Sequence, residues 1–381
     1  MNREASAASK HAWHPDLARI ETPAVVIDTT VMTSNIRAMA QVASRSGVAL
    51  RPHAKTHKMP DIAKQQLEAG AAGITVAKVS EAEVMADGGI DDMFIAYPLI
   101  APSKIERAIA VGRRMKRLIV GVDSLTGARL LSASAVQHGF ELEVRLEIDS
   151  GMKRTGILPA EAIMLAREIA QLDGLRLTGI YTFRGALLDG KPTLDIEAAG
   201  LQEGSLMVSL AEDLREAGIP IQDVSVGSSP TGAYAATVPG VTEIRPGTYV
   251  YQDRMTAGYG ICTLDDCAAY VVATVVSSRP DEGHAVIDGG SKTFATDVQP
   301  GTFPLQLQGF GHALEAPDAV LERLSEEHGI LRLSSSIVKP GDRLRIIPNH
   351  ICSTINLHNS VYLLGENGIS RKIIPARGML E

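Results

Sequence analysis

The chain has 381 residues, 45% of them hydrophobic, so it can bury one large core together with a second, smaller one. A formal net charge of -7 and an aromatic content of 4% argue against a nucleic-acid partner and against binding to an anionic membrane surface. No apolar stretch is long enough to span a bilayer.

The N-terminal segment, residues 1–22, is predicted to be a leader that packs partly on a β domain. Its first residues are polar and small, with no apolar signal-peptide core. The three cysteines, Cys262, Cys267 and Cys352, show no disulfide spacing. These features together lead us to expect a cytoplasmic protein.

Residues 23–255 alternate between short apolar runs and longer amphipathic stretches. Such runs are typical of buried parallel strands, and the stretches between them have helical spacing. About eight strand–helix repeats favour a parallel (β/α)8 barrel of TIM type over an open sheet. The predicted strands are 24–27, 48–50, 74–76, 93–96, 118–122, 142–148, 177–181, 224–226 and 242–245, and the clearest helices are 31–46, 125–138, 159–172 and 196–217.

The alternation of apolar runs and helical stretches ends in residues 256–381, where short strand-like runs are separated by Gly, Pro and Asp. This pattern predicts a small antiparallel β domain. Within it, residues 295–316 contain several prolines and glycines and are predicted to form a long loop that covers a site. The expected strands are 270–277, 284–288, 329–333, 343–347 and 361–364.

A basic octamer, Arg-Pro-His-Ala-Lys-Thr-His-Lys, follows the predicted strand 48–50. Burial and neighbouring positive charge both favour the neutral amine of its central lysine, Lys55. A neutral amine at such a place can form a Schiff base with a carbonyl compound. The alternative interpretation is a solvated basic loop.

A turn rich in glycine and hydroxyl groups, Gly227-Ser228-Ser229-Pro230-Thr231-Gly232, follows the predicted strand 224–226. Backbone amides, hydroxyls and a helix N-terminus suit a phosphate group. An ordinary turn with a helix N-cap explains the same residues. Because the chain lacks the GxxxxGK[ST] and GxGxxG nucleotide motifs, the phosphate would belong to something other than ATP or NAD.

A third candidate is the pair His350 and Cys352, which follows the predicted strand 343–347. In an extended segment these two side chains would point to one side and offer an imidazole and a thiolate to one cation, as zinc prefers. Two protein ligands suit an open, catalytic site rather than a closed structural one. A core cysteine beside a capping histidine is the alternative, and Glu327 and His328 are candidates for an outer partner.

Taken together, these motifs resemble the fold-type III pyridoxal-phosphate enzymes of the alanine racemase superfamily, and within them the branch of D-threonine aldolases and D-serine dehydratases. The resemblance extends from residue 22 to the end of the chain. It implies an alanine racemase-like fold, a (β/α)8 barrel with a C-terminal antiparallel β domain. It also implies a head-to-tail homodimer in which each subunit completes its partner's active site.

The resemblance assigns roles to the motifs residue by residue. Lys55 would bind pyridoxal 5'-phosphate (PLP) covalently, and Arg154 would contact its phenolic oxygen. His350 and Cys352 would bind a divalent metal, zinc or alternatively manganese. The remaining cofactor-binding candidates are His53, Tyr181, the cradle residues Gly227, Ser228, Ser229 and Thr231, and the wall residues Tyr249 and Tyr251.

One segment departs from the pattern of the family. Its members tend to carry a histidine shortly after the tyrosine of the seventh strand, whereas this chain has Phe183 and Arg184 after Tyr181. Arg184 is therefore a candidate for binding a substrate carboxylate, with His57 as a second substrate residue.

The function that the resemblance implies is a PLP- and metal-dependent lyase acting on D-β-hydroxy amino acids. Dehydration to a 2-oxo acid and ammonia, as in D-serine dehydratases, is the main expectation, and retro-aldol cleavage to glycine and an aldehyde is the alternative. An amino acid racemase and a non-catalytic PLP-binding protein are further alternatives. The carrier would have no use for the pair His350 and Cys352, so this pair argues for catalysis.

Overall fold

The computed structural model describes residues 13–381, which divide into two compact units. One contains residues up to 35 together with 250–374, and the other contains 36–249 together with 375–381. The structure thus differs from the predicted boundaries, 23–255 and 256–381. Residues 1–12, the first part of the predicted leader, lie outside the described residues.

Secondary structure covers most of the described chain. The helices are α1 (Thr29–Ser46), α2 (Pro60–Glu68), α3 (Val79–Asp87), α4 (Pro102–Gly112), α5 (Leu125–Gln137), α6 (Ala162–Ile169), α7 (Ile196–Glu216), α8 (Gly232–Ala235), α9 (Arg254–Gly258) and α10 (Ile351–Leu357). The strands are β1 (Ala24–Asp28), β2 (Ala49–Leu50), β3 (Ile74–Val76), β4 (Asp92–Pro98), β5 (Arg117–Val122), β6 (Leu142–Glu147), β7 (Leu175–Tyr181), β8 (Leu187–Leu188), β9 (Lys191–Pro192), β10 (Asp223–Val226), β11 (Glu243–Ile244), β12 (Ala269–Arg279), β13 (His284–Ile287), β14 (Gly311–Ala313), β15 (Val320–Leu324), β16 (Gly329–Arg332), β17 (Arg343–Pro348), β18 (Ser360–Gly365) and β19 (Gly368–Ile373). No helix among residues 13–381 combines the length and the apolar character that crossing a membrane requires.

The barrel unit is built on one parallel sheet of eight strands in the order β2-β11-β10-β7-β6-β5-β4-β3. A parallel bridge between His53 and Thr75 joins its two end strands, β2 and β3. Buried Ile, Val, Leu and Ala side chains of these strands and of the surrounding helices form its main core. The predicted (β/α)8 barrel is therefore confirmed.

The predicted strand 24–27 does not belong to this barrel. It is β1, which pairs antiparallel with β12 and parallel with β18 in the other unit. Its apolar run of Ala, Val and Ile is buried on both faces, and such a run looks alike in either kind of sheet. The first barrel strand is instead β2, at Ala49–Leu50.

The β unit contains a nine-stranded sheet in the order β13-β16-β15-β14-β17-β12-β1-β18-β19, most of whose pairs are antiparallel. The predicted antiparallel β domain is therefore confirmed. Residues of the N-terminal leader lie on it, since Leu17 is fully buried in its core and Arg343 donates to the carbonyl of Leu17. The predicted loop 295–316 contributes one of its strands, β14.

The helix boundaries follow the start and stop signals of the sequence. The side chain of Ser124 caps α5 by accepting from the amide of Gly127, and the side chain of Asp195 caps α7 in the same manner. Gly139 and Gly218 follow these two helices with φ of +58° and +85°, which a residue with a Cβ adopts at a cost.

The amino-terminal ends of the barrel strands contain a buried ion-pair network. Glu243 accepts hydrogen bonds from Arg51 at 2.8 Å, from Arg145 at 2.5 Å and from Ser225 at 2.5 Å. Burial alone would raise the pKa of Glu243, but Arg145 and Arg51 outweigh it and hold this pKa well below its usual range. This end of a barrel serves stability, whereas the carboxyl ends of the strands hold active sites.

We expect Glu243→Ala to lower the free energy of unfolding by about 3–5 kcal/mol, since it leaves two buried guanidinium groups without their shared partner. The pKa of Glu243 is lowered in the folded state, so its stabilising effect is present above the pKa of the unfolded chain and is lost as the pH falls below about 4. Urea unfolding at pH 7 and at about pH 3 measures both effects. A loss below about 1 kcal/mol at pH 7 would contradict the prediction.

Candidate active site

The lysine loop lies at the carboxyl end of β2. Lys55 is half-buried within a short 3-10 helix, Ala54–Thr56, and its Nζ atom lies 5.5 Å from the centre of the Phe183 ring. The predicted position of Lys55 at the end of a barrel strand is therefore correct. The Lys55 side chain thus lies beside an aromatic ring and is partly exposed.

The two histidines of the loop are held by the protein itself. His53 caps the 3-10 helix by accepting from the amide of Lys55 at 3.4 Å, and burial, followed by the charge of Lys55, lowers the pKa of His53 well below its usual value. His57 is fully buried, where it accepts from the amide of Met59 and lies 3.2 Å from the side-chain oxygen of Gln66. The Nε2 atom of His57 is thus its donor, and burial lowers its pKa to about 4. Both rings orient the loop through these contacts, and His57 has no nitrogen left for a substrate.

The last residue of the octamer, Lys58, connects the loop to the C-terminal segment. Its backbone φ is +57°, and its Nζ atom donates to Glu81 at 2.6 Å in a buried ion pair. The same Nζ lies 3.4 Å from the carbonyls of Ala376 and Met379, and the carbonyl of Lys58 accepts from the amide of Ala376. The octamer is therefore not a solvated basic loop, since three of its cationic or imidazole groups are buried in specific contacts.

Arg154 lies beside the lysine loop, as expected of a residue that serves the same site. Its guanidinium carbon is 5.0 Å from the centre of the Phe183 ring, the ring that Lys55 also faces. Tyr181 is fully buried at the end of β7, where its ring packs edge-on against Phe94 and its hydroxyl donates to Glu147 at 3.0 Å. An amine and a guanidinium thus face one half-buried aromatic ring at the carboxyl end of the barrel.

The predicted phosphate cradle follows β10 and precedes α8. Gly227 has φ of +82°, and the hydroxyl of Ser228 lies 2.8 Å from that of Thr231. The hydroxyl oxygen of Ser229 accepts from the amides of Gly247 and Tyr249, which leaves its proton for a further acceptor. These hydroxyls and the adjacent helix N-terminus form the kind of polar turn that binds a phosphate.

Sequence reasoning missed a buried carboxyl group behind this cradle. Glu203 of α7 is fully buried and accepts from the amide of Gly227 at 3.3 Å and from the hydroxyl of Thr231 at 3.1 Å. Burial raises the pKa of Glu203 above its usual value. The only sequence signal is an acidic residue on the apolar face of an amphipathic helix.

Arg184, the candidate for a substrate carboxylate, points to the same helix. Its guanidinium donates to the side chain of Gln202, and its charge interacts with Glu203. Only 4% of Arg184 is exposed, and its Nε atom has no hydrogen-bond partner among the described residues. The structure therefore places Arg184 on the side of the phosphate cradle.

The two wall tyrosines lie in different units. Tyr249, in the barrel unit, is fully buried and accepts from Gln66 at 2.9 Å. Tyr251, in the β unit, is fully buried with no hydrogen-bond partner for its hydroxyl in the described part of the chain. Burial and the nearby Cys352 raise the pKa of Tyr251. Tyr249 thus supports the lysine loop through Gln66, whereas Tyr251 lies beside the predicted metal pair.

The metal pair converges, although not by the predicted geometry. The strand β17 ends at Pro348, His350 is the N-cap of α10, and Cys352 lies in its first turn. The expected extended segment is therefore wrong, but the side chains of His350 and Cys352 still interact directly. Asp297 accepts from the Nδ1 atom of His350 at 2.6 Å, whereas Glu327 pairs with Lys292 and His328 with Ser325.

This donor set suits a cation. Burial alone would lower the pKa of His350, but Cys352 and Asp297 outweigh it and hold this pKa well above its usual value. A histidine that donates one ring nitrogen to a carboxylate presents the other to a metal in a fixed orientation. Among residues 13–381, no group of three or more Cys, His, Asp or Glu side chains is placed to hold a metal ion. A metal bound by His350 and Cys352 would therefore need further ligands from water or substrate.

Comparison with known proteins places the chain among related enzymes. The family model of the alanine racemase N-terminal domain matches residues 27–255, and that of a serine dehydratase domain matches residues 268–364. The D-threo-3-hydroxyaspartate dehydratase of Delftia sp. (strain HT23) is 36% identical, with 89% of this chain and 92% of the relative covered. The D-threonine aldolase of Arthrobacter sp is 31% identical, with 95% of this chain and 94% of the relative covered.

Solved structures show the same relationship. The structure of the D-threo-3-hydroxyaspartate dehydratase from Delftia sp. HT23 and that of a cysteine-to-alanine mutant of a D-threo-3-hydroxyaspartate dehydratase in the metal-free form both have TM-scores of 0.85 at 35% identity. Each covers 93% of this chain and 97% of its own. The resemblance stated from the motifs is thereby confirmed, and the chain belongs to the fold-type III pyridoxal-phosphate enzymes, in the branch of the D-threonine aldolases and D-serine dehydratases.

Proposed function

We propose that the protein is a PLP- and divalent-metal-dependent lyase that eliminates water from a D-β-hydroxy amino acid, after which one water replaces the amino group and a 2-oxo acid and ammonia are released. The observation that carries this proposal is the set of groups at the carboxyl end of the barrel, where Lys55 and Arg154 face one ring and a hydroxyl-rich turn follows β10. An amine, a guanidinium and a phosphate cradle match the aldehyde, phenolic oxygen and phosphate of PLP. When bound, PLP withdraws electrons from the Cα atom of an amino acid.

In this proposal, the protein's own residues move the protons and orient the substrate. Lys55 would remove the α-proton as a general base. His53 and His57, whose pKa values burial lowers, would hold the lysine loop through their contacts with backbone amides. Overall, the β-hydroxyl leaves as water with the α-proton, a proton moves to Cβ, and one water replaces the α-amino group, so that ammonia and a 2-oxo acid are formed.

The metal would polarise the β-hydroxyl as a Lewis acid and assist its departure. His350 and Cys352 would hold it, and we propose zinc because one imidazole and one thiolate are the ligands that it accepts most readily, with manganese as the alternative. Asp297 would fix the orientation of the His350 ring. We also propose that the protein forms a head-to-tail homodimer, as the resemblance to its family implies, and that it acts in the cytoplasm.

Retro-aldol cleavage is the second candidate. The D-threonine aldolase relative covers as much of the chain as the dehydratase does, and the same lysine and metal would serve if a base removed the proton of the β-hydroxyl. We favour dehydration because the pair His350 and Cys352 resembles the metal pair of the D-serine dehydratases, where the aldolases more often have aspartate in place of the cysteine. The D-threo-3-hydroxyaspartate dehydratase is also the more similar of the two relatives.

A product assay on a panel of D- and L-amino acids distinguishes these reactions. We expect ammonia and a 2-oxo acid in equal amounts from D-3-hydroxyaspartate or D-serine, with the L-enantiomers at least about tenfold slower. Glycine and an aldehyde would instead establish the aldolase. Formation of the opposite enantiomer would establish a racemase. PLP binding without any product would favour a non-catalytic PLP-binding protein.

A further inference from the structure

The helix α7 approaches the phosphate cradle unusually closely. A Cβ atom at Gly200 would lie 2.7 Å from the carbonyl oxygen of Thr231, and one at Gly204 would lie 2.8 Å from the side chain of Val238. Both distances are shorter than real Cβ contacts, so these two positions, one helical turn apart, require glycine. The close approach brings Glu203, which lies between them, onto the cradle.

The contacts of Glu203 divide the cradle into two sets of groups. Its carboxyl oxygens accept from the amide of Gly227 and from the hydroxyl of Thr231, so these two donors are directed towards α7. Because Thr231 donates its hydroxyl proton to Glu203, the Thr231 oxygen accepts from both the amide and the hydroxyl of Ser228. The oxygen of Ser229 accepts from two backbone amides, and its hydroxyl keeps a proton for a further acceptor such as a phosphate.

We propose that Glu203 is a positioning residue for cofactor binding, because it holds the turn 227–231 in the conformation that binds a phosphate monoester. This inference rests on the proposed PLP-dependent function. Glu203 itself does not touch the phosphate, since both of its carboxyl oxygens face the back of the turn. Arg184, whose charge interacts with Glu203, offsets the negative charge that Glu203 and a phosphate bring to this buried place.

The test compares PLP with pyridoxal, which has the aldehyde but no phosphate. Apo protein is titrated with each compound, and the visible absorbance of the lysine-bound cofactor gives two dissociation constants. We expect Glu203→Met, which keeps a side chain of similar length without an acceptor, to weaken PLP binding about tenfold or more relative to pyridoxal. Glu203→Gln retains an acceptor. In this variant, the ratio of the dissociation constant of PLP to that of pyridoxal is expected to lie within about threefold of the wild-type ratio.

The control is Glu212→Gln, an exposed position on the same helix, which should leave both constants unchanged. If the Met variant does not fold, Thr231→Val removes the hydroxyl that Glu203 holds and must shift the ratio by a similar factor. The inference is overturned if Glu203→Met or Thr231→Val has the wild-type ratio of dissociation constants, or if it weakens the binding of PLP and of pyridoxal equally. Wild-type protein that binds neither compound overturns the proposed function itself, and the inference with it.

Discussion

The Lys55→Ala variant should lose the visible absorbance band of covalently bound PLP, and its turnover of D-β-hydroxy amino acids should fall by about 10³-fold or more. Lys55 is the half-buried amine at the carboxyl end of β2, and the variant removes both the covalent attachment and the proposed base for the α-proton. Absorbance spectra of the purified variant and single-turnover kinetics measure the two losses separately.

The control for this prediction is Lys64→Ala, which removes an exposed lysine of α2, nine residues along the chain. It should retain both the absorbance band and the activity. A Lys55→Ala protein that still shows the band of lysine-bound cofactor would contradict the assignment of Lys55. Thermal unfolding of all three proteins shows whether a loss of binding follows from a loss of structure.

The barrel could be predicted well from sequence because its signals are local. Most strands from 48–50 to 242–245 are short apolar runs bounded by turn residues, and helices such as α5 and α7 carry their own caps and stops. The motif positions followed from the same rule, since Lys55, Gly227 and Tyr181 all come at or after a strand end. Chemistry at the carboxyl ends of strands is a property of the fold class rather than of this chain.

What could not be predicted depends on long-range pairing. The run Ala24–Asp28 has the composition of a barrel strand, but its partners, β12 and β18, lie more than 240 residues further along the chain. The same is true of Glu203, whose role depends on the approach of α7 to the turn 227–231 through Gly200 and Gly204. Asp297 likewise meets His350 across 53 residues. A carboxylate has no periodic signal of its own, so its partner has to be observed.

Cys352→Ala should bind less than about a tenth of the metal that the wild type binds, and its turnover should fall by about 10²–10³-fold, because a Lewis acid is worth several kcal/mol at a developing negative charge. The absorbance band of bound PLP should remain, since Lys55 and the cradle belong to the barrel unit and Cys352 to the β unit. Elemental analysis after dialysis gives the metal content. Chelation of the wild-type protein should reproduce the loss of turnover, and added zinc should restore it.

Two further variants make the metal experiment specific. Cys262→Ala removes a half-buried thiol of the same unit that lies outside the predicted pair, and it should leave metal content and turnover unchanged. Asp297→Asn keeps the size of the side chain but weakens the charged contact to the Nδ1 atom of His350, so it should lower metal affinity about 10- to 100-fold. Full turnover after complete removal of the metal would exclude the pair His350 and Cys352 from the mechanism. Lost turnover in the Cys262→Ala variant would show that thiol loss in this unit acts through stability instead.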